Sequence, residues 1–118
     1  QLKHSYINEL SHFYNKTLFL AFKTKCYMYD FNKNSMNYIP FLQNDHTGGS
    51  LVYVPEDNYI YVISGFTTNT VEKLKFNPTD RKIVDDKWTY GPSFPDNRIH
   101  FSTFVINGRS IYIILGYD

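Results

Sequence analysis

Catalysis needs side chains that ionise, attack or hold a metal, and this sequence has few of them in useful spacings. Imidazole binds metals and moves protons near neutral pH, so the four histidines, His4, His12, His46 and His100, are the first candidates. None stands at the short spacing from another histidine or a cysteine that a zinc site uses. They read as packing or hydrogen-bonding groups, and no metal or other cofactor is expected. Cys26 is the single cysteine. Its apolar run, Cys26-Tyr27-Met28-Tyr29, favours a buried structural thiol over a nucleophile, and one cysteine cannot form an internal disulfide. The acidic pairs Glu56-Asp57 and Asp85-Asp86 consist of chain neighbours that point apart in extended backbone, so neither makes the facing carboxylates of a glycosidase. Gly48-Gly49 lacks the Gly-Lys-Ser/Thr ending of a phosphate loop and leads into a strand-like run, so it reads as a turn. These residues supply no catalytic constellation, and the expectation is a protein that is not an enzyme.

The elements that would carry any site must fit into 118 residues, which is room for one small domain. Twelve Lys and Arg against eleven Asp and Glu leave a formal charge of +1. So even a balance gives no broad basic face, and neither a nucleic-acid partner nor an anionic membrane is expected. Aromatic residues make up 19%, which argues against disorder. Tyr, Phe, Ile, Asn and Lys all have AT-rich codons, so their abundance is explained by an AT-rich genome without a functional cause. No apolar run is long enough to span a bilayer as a helix, no signal peptide is evident, and a cytoplasmic location is expected. The chain opens on Gln1 and closes at Asp118, directly after an apolar run, and reads as a segment of something longer.

Ala21 is the only alanine, and β-branched and aromatic residues dominate, so long helices are disfavoured. Apolar or alternating runs between turn residues predict strands at 18–22, 26–31, 36–39, 50–54, 59–63, 70–76, 87–90, 101–106 and 110–115. Asn107-Gly108-Arg109 between two such runs is a strong hairpin signal, because Asn and Gly tolerate positive φ. Two hairpins share one form. Ile60-Tyr61 maps onto Ile111-Tyr112, and Gly65 onto Gly116, both at an offset of 51. A weaker earlier copy maps Leu18-Phe19 onto Ile60-Tyr61 at 42, Phe31 onto Phe76 at 45 and Tyr38 onto Trp88 at 50.

A unit of ~50 residues holding four short strands is the signature of a propeller blade. The pattern resembles a Kelch repeat: Ile60-Tyr61-Val62-Ile63-Ser64-Gly65, then Val71-Glu72-Lys73-Leu74, then Trp88, then Arg98, and again Ile111-Tyr112-Ile113-Ile114-Leu115-Gly116. It departs in having Ser64-Gly65 and Leu115-Gly116 for the glycine pair, and Leu74-Lys75 where Tyr-Asp is usual. The resemblance implies an all-β fold, a partial Kelch-like β-propeller of four-stranded antiparallel blades. It divides the chain into a degenerate blade at 1–46, a complete blade at 47–97 and the start of the next at 98–118. Gly65, Trp88, Arg98 and Gly116 are then structural blade residues, with Trp88 packed between sheets and Arg98 clamping carbonyls between blades. The implied function is a non-catalytic protein–protein interaction scaffold in a larger intracellular assembly, with a cytoskeletal or ciliary one as a possible home. Its partners would be other proteins and the remaining blades, from the parent chain or another chain. The alternatives are a substrate-recruiting adaptor of a ubiquitin ligase and a propeller enzyme such as a sugar oxidase or epimerase. Partner contacts are expected in the loops at 66–69, 77–86 and 91–97, since loops carry function on rigid scaffolds.

Overall fold

The computed structural model describes residues 9–97, 99, 101–106, 108 and 110–114. The chain is all-β, with no helix among the described residues. Eleven strands follow in order: β1 (Glu9–Tyr14), β2 (Thr17–Phe22), β3 (Lys25–Asp30), β4 (Ser35–Ile39), β5 (Ser50–Val54), β6 (Tyr59–Ile63), β7 (Val71–Asn77), β8 (Lys82–Ile83), β9 (Thr89–Tyr90), β10 (Ser102–Ile106) and β11 (Ser110–Ile114). They form three antiparallel sheets. The first has the order β1-β2-β3-β4, the second β5-β6-β7-β8 with β9 also on β7, and the third is the pair β10-β11. The all-β expectation therefore holds.

Three details depart from the sequence-based expectation. β1 was not anticipated, because Glu9, Ser11 and His12 break the apolar pattern; its inward residue, Leu10, is buried nonetheless. The turn-rich stretch at 77–86 contains the two-residue strand β8, whose Ile83 pairs with Phe76. The fourth strand of the second sheet is shorter than the run at 87–90, with only Thr89 and Tyr90 on the ladder.

The sheets stack in series. One core joins the first and second sheets, through Phe19, Ala21, Cys26 and Met28 on one side and Leu51, Tyr53, Ile60, Val62, Leu74, Phe76 and Trp88 on the other. Aromatic rings interlock there. Phe19 meets Phe76 edge to face at 5.1 Å, and Tyr53 meets Phe76 at 5.6 Å, geometries that the ring quadrupole favours. A second core lies on the opposite face of the second sheet, where Val52, Ile63 and Val71 pack with Tyr61, Phe94, Phe101, Val105 and Ile111. The middle sheet is covered on both faces, which is why β6 reads as a near-continuous apolar run, Tyr59-Ile60-Tyr61-Val62-Ile63. The leading strands adjoin, β1 beside β5 and β5 beside β10.

The ladders align the sheets residue by residue. Hairpins close at Tyr14↔Thr17, Val54↔Tyr59 and Ile106↔Ser110, and the next ladders contain the pairs Ala21↔Cys26 and Ile63↔Val71. These pairs agree with the offsets 42, 45 and 51. Tyr38 pairs with Tyr27, however, and Tyr90 with Glu72. Tyr38 thus corresponds to Tyr90, and the counterpart of Trp88 is Met36, two residues from the expected position. The slip keeps the face, because side chains alternate with a period of two.

Candidate functional site

Among the described residues, the most organised polar group is centred on Glu72, in the middle of the second sheet. Its carboxylate is buried among apolar strands, a placement that is costly unless every oxygen is bonded. Here the partners come from the segment at 40–49 that links the first sheet to the second. The Gln43 N–H donates to Oε1 at 2.8 Å and the Asn44 N–H to Oε2 at 3.0 Å. The Asn44 side-chain amide donates to Oε2 at 3.2 Å and reaches the Tyr90 hydroxyl at 3.0 Å. His46, fully buried, places Nε2 2.8 Å from Oε2 and donates from Nδ1 to the Ser64 carbonyl at 2.8 Å. Both ring nitrogens thus face oxygen atoms, one on the backbone and one on the carboxylate. Burial opposes ionisation of Glu72, but the bonds from His46, Gln43 and Asn44 prevail and hold its carboxyl below the usual range.

The same linker is tied down at three more points. Trp88 is fully buried, and its indole N–H donates to the Pro40 carbonyl at 2.7 Å, while the Gln43 side-chain amide donates to the Trp88 carbonyl at 2.8 Å. The Leu42 N–H donates to the Thr24 carbonyl at 2.8 Å. Gly65 follows with φ 145, its Cα packed so closely that an added Cβ would lie 2.8 Å from the Thr47 carbonyl oxygen. Gly48-Gly49 is a turn, closed by the Gly49 N–H on the His46 carbonyl.

This anchoring fixes one end of the stack. The loops at 66–69 and 91–97 meet there: the Phe94 N–H donates to the Asn69 carbonyl at 2.8 Å, and the Asn69 side chain to the Phe94 carbonyl at 2.7 Å. The Asn97 side chain donates to the Phe66 carbonyl at 3.3 Å, and the Phe66 N–H to the Thr47 carbonyl at 2.9 Å. Phe41, Phe66 and Tyr90 are each more than half exposed at this end. The loop at 77–86 lies at the opposite end. There Arg81 bonds the Thr17 hydroxyl at 2.7 Å and faces Asp30 at 3.5 Å, beside an open cleft of about 410 Å³. Two of the three expected contact loops thus converge, and the third does not join them.

The other candidates fall into place individually. Cys26 is buried and its thiol is pushed up to about 12, chiefly by burial, so it is protonated at neutral pH and poorly nucleophilic. His12 is half-buried on β1, and burial lowers its pKa. Asp57 accepts from the Tyr61 hydroxyl at 2.6 Å, and Asp85 accepts from the Lys75 N–H at 3.0 Å. No metal-holding group of three or more His, Cys, Asp or Glu occurs among the described residues, and they contain no helix long and apolar enough to cross a membrane. His4, His100, Arg98 and Gly116 lie outside the described residues. The Glu72 centre was missed at the sequence level. One signal did exist: His46 precedes the first residue of β5 by four positions, as Arg98 precedes that of β10.

Fold and site together define an all-β chain of serially stacked antiparallel sheets, with a hydrogen-bonded linker threaded between two of them. Among solved structures it is similar to the one titled "Structure of YjhT", at a TM-score of 0.59 and 19% identity over 86% of this chain. The chain spans 32% of the length of that one. No protein-family model matches the sequence, and no curated protein matches it.

Proposed function

We propose that these residues are part of a Kelch-like β-propeller acting as a non-catalytic protein–protein interaction scaffold inside the cell. The observation that carries this reading is the serial stack, in which each sheet packs face to face on the next while the leading strands β1, β5 and β10 adjoin. That arrangement suits radial units, which bury their faces only against neighbours. The partner surface is the anchored end, where Phe41 is exposed on the linker held by Glu72 and Trp88, and Phe66 and Tyr90 are exposed on the neighbouring loop and strand. Exposed aromatics on a rigid frame are suited to act as binding anchors, because they lose little conformational freedom on docking.

The test combines Phe41→Ser, Phe66→Ser and Tyr90→Ser in the protein expressed in its own cells, with co-purifying proteins quantified by mass spectrometry. At least one specific partner is expected to fall about tenfold, equivalent to ~1.4 kcal/mol, with the melting temperature unchanged. Retention of every partner at the wild-type level would overturn the reading.

A further inference from the structure

A cleft of about 410 Å³ opens between the first and second sheets, at the end opposite the exposed aromatics. Its size falls in the range of about 300–1,000 Å³ that small ligands occupy. Met28 and Ile39 from the first sheet and Ile83 from the second give it an apolar floor. Arg81, in the turn between β7 and β8, reaches from the second sheet to the first. All its contacts with described residues leave from one nitrogen. Nη1 donates to the Thr17 hydroxyl at 2.7 Å and to the Lys16 carbonyl at 3.3 Å, and it lies 3.5 Å from Oδ1 of Asp30. Thr17 and Asp30 are themselves buried, so the guanidinium is held on a rigid base. Nε and Nη2 have no acceptor among the described residues, yet no buried side-chain nitrogen or oxygen there lacks a partner. These two nitrogens therefore reach solvent, and the space that Arg81 lines is the cleft.

We propose that the cleft binds a small organic oxyanion, a carboxylate or phosphate group on a short apolar body, with that group forked on Nε and Nη2 of Arg81. Two parallel N–H donors match two oxygens of one such group. Anchoring through Nη1 holds the fork in place beforehand, so little side-chain freedom is lost on binding. The charges lining the cleft are Lys33, Arg81 and Lys82 against Asp30 and Asp80, three cations against two anions. Oδ1 of Asp30 is already engaged by the Asn32 and Lys33 N–H groups and by Arg81, which blunts its repulsion of a ligand. An excess of one positive charge suits a single oxyanion and not a polyanion such as a nucleic acid. The floor takes the apolar body, whose hydrocarbon leaves water there. The oxyanion can belong to a free acid or to an acidic side chain of a protein segment, and the chemistry at Arg81 is the same for both. This site is separate from the aromatic end and does not rest on the scaffold reading.

The test is calorimetric titration of the natural full-length protein with three probes at one pH and ionic strength: inorganic phosphate, n-butyl phosphate, and a capped tripeptide with glutamate between two valines. One site is expected, at which n-butyl phosphate or the tripeptide binds about fourfold or more tighter than inorganic phosphate, because the floor buries hydrocarbon. The tighter of the two tells a free acid from a protein segment, and either supports the site. Arg81→Lys keeps the charge but loses the fork, and is expected to weaken the better probe about tenfold. Asn37→Asp, at an exposed position lining the cleft, leaves the contacts of Arg81 in place and is expected to weaken it about threefold or more by repulsion. This second variant decides the matter where Arg81→Lys does not fold. The proposal is overturned if none of the probes binds at about 10 mM, or if inorganic phosphate binds as tightly as both others. It is equally overturned by binding that either folded variant leaves unchanged, which places the ion elsewhere on the surface.

Discussion

Glu72 is held by two backbone N–H groups as well as by His46, and this sets the response to substitution. His46→Ala leaves a buried carboxylate short of one of its partners and is expected to cost about 3–5 kcal/mol in urea unfolding. An isolated buried ion pair can often be replaced by apolar residues at little cost. The double variant His46→Phe/Glu72→Leu should not recover, because it orphans the Gln43 and Asn44 N–H groups, at about 1–3 kcal/mol each. A double variant as stable as the parent would refute this account. The pH dependence has a definite sign. The folded Glu72 carboxyl lies below the ordinary value of 4.5. Its contribution is therefore present above that value and is lost as pH falls through the lower folded one. Glu72→Gln should lower stability at neutral pH and flatten the acid limb of the stability curve in that window. Gly49 is constrained by space alone: a Cβ there would run into the Ile63 and Ser64 carbonyl oxygens. Gly49→Ala is expected to cost about 1–3 kcal/mol by overpacking, read as a lower melting temperature.

Two aromatic pairs permit a controlled comparison between elements: Phe13 with Phe31 at the first sheet, and Tyr53 with Phe76 at the second. Phe13→Ala and Phe31→Ala alter exposed rings and should change the stability of this chain by no more than ~0.5 kcal/mol. Tyr53→Ala and Phe76→Ala, at corresponding positions, should cost about 3–5 kcal/mol each, measured by denaturant titration. Equal costs would show that the correspondence of faces is wrong. Strands β5, β6, β10 and β11 were legible in the sequence because their apolar runs are bounded by turn residues and, in the second sheet, face apolar neighbours on both sides. β1 was not, because its outward positions are polar until Phe13 and its burial depends on β5, forty residues later in register. β8 was hidden because two residues carry no periodicity. Trp88, the single tryptophan, is fully buried in the core that joins the first and second sheets. The role of Glu72 was illegible, because its partners lie 26–29 residues away, beyond any local motif.

For the whole molecule, the exposed apolar face of the first sheet, with Phe13, Phe31 and Met36, governs behaviour in solution, since contiguous exposed apolar surface drives association. The isolated chain is expected to self-associate with rising concentration in sedimentation velocity. Phe13→Lys with Phe31→Lys should suppress that association without changing the melting temperature. If the association persists undiminished, its cause lies elsewhere on the surface. The linker has a further consequence, in time as well as in space. Gln43 and Asn44 find their acceptor in a residue 28–29 positions downstream. At synthesis rates of ~5–20 residues per second, the ribosome needs roughly 1–6 s to deliver that acceptor. Until then, water must hydrate those two amides, and the newly made first sheet waits with its exit strap unlatched. The first sheet's exit is thus locked by its successor, and that linker matures only after the third strand of the second sheet has been made.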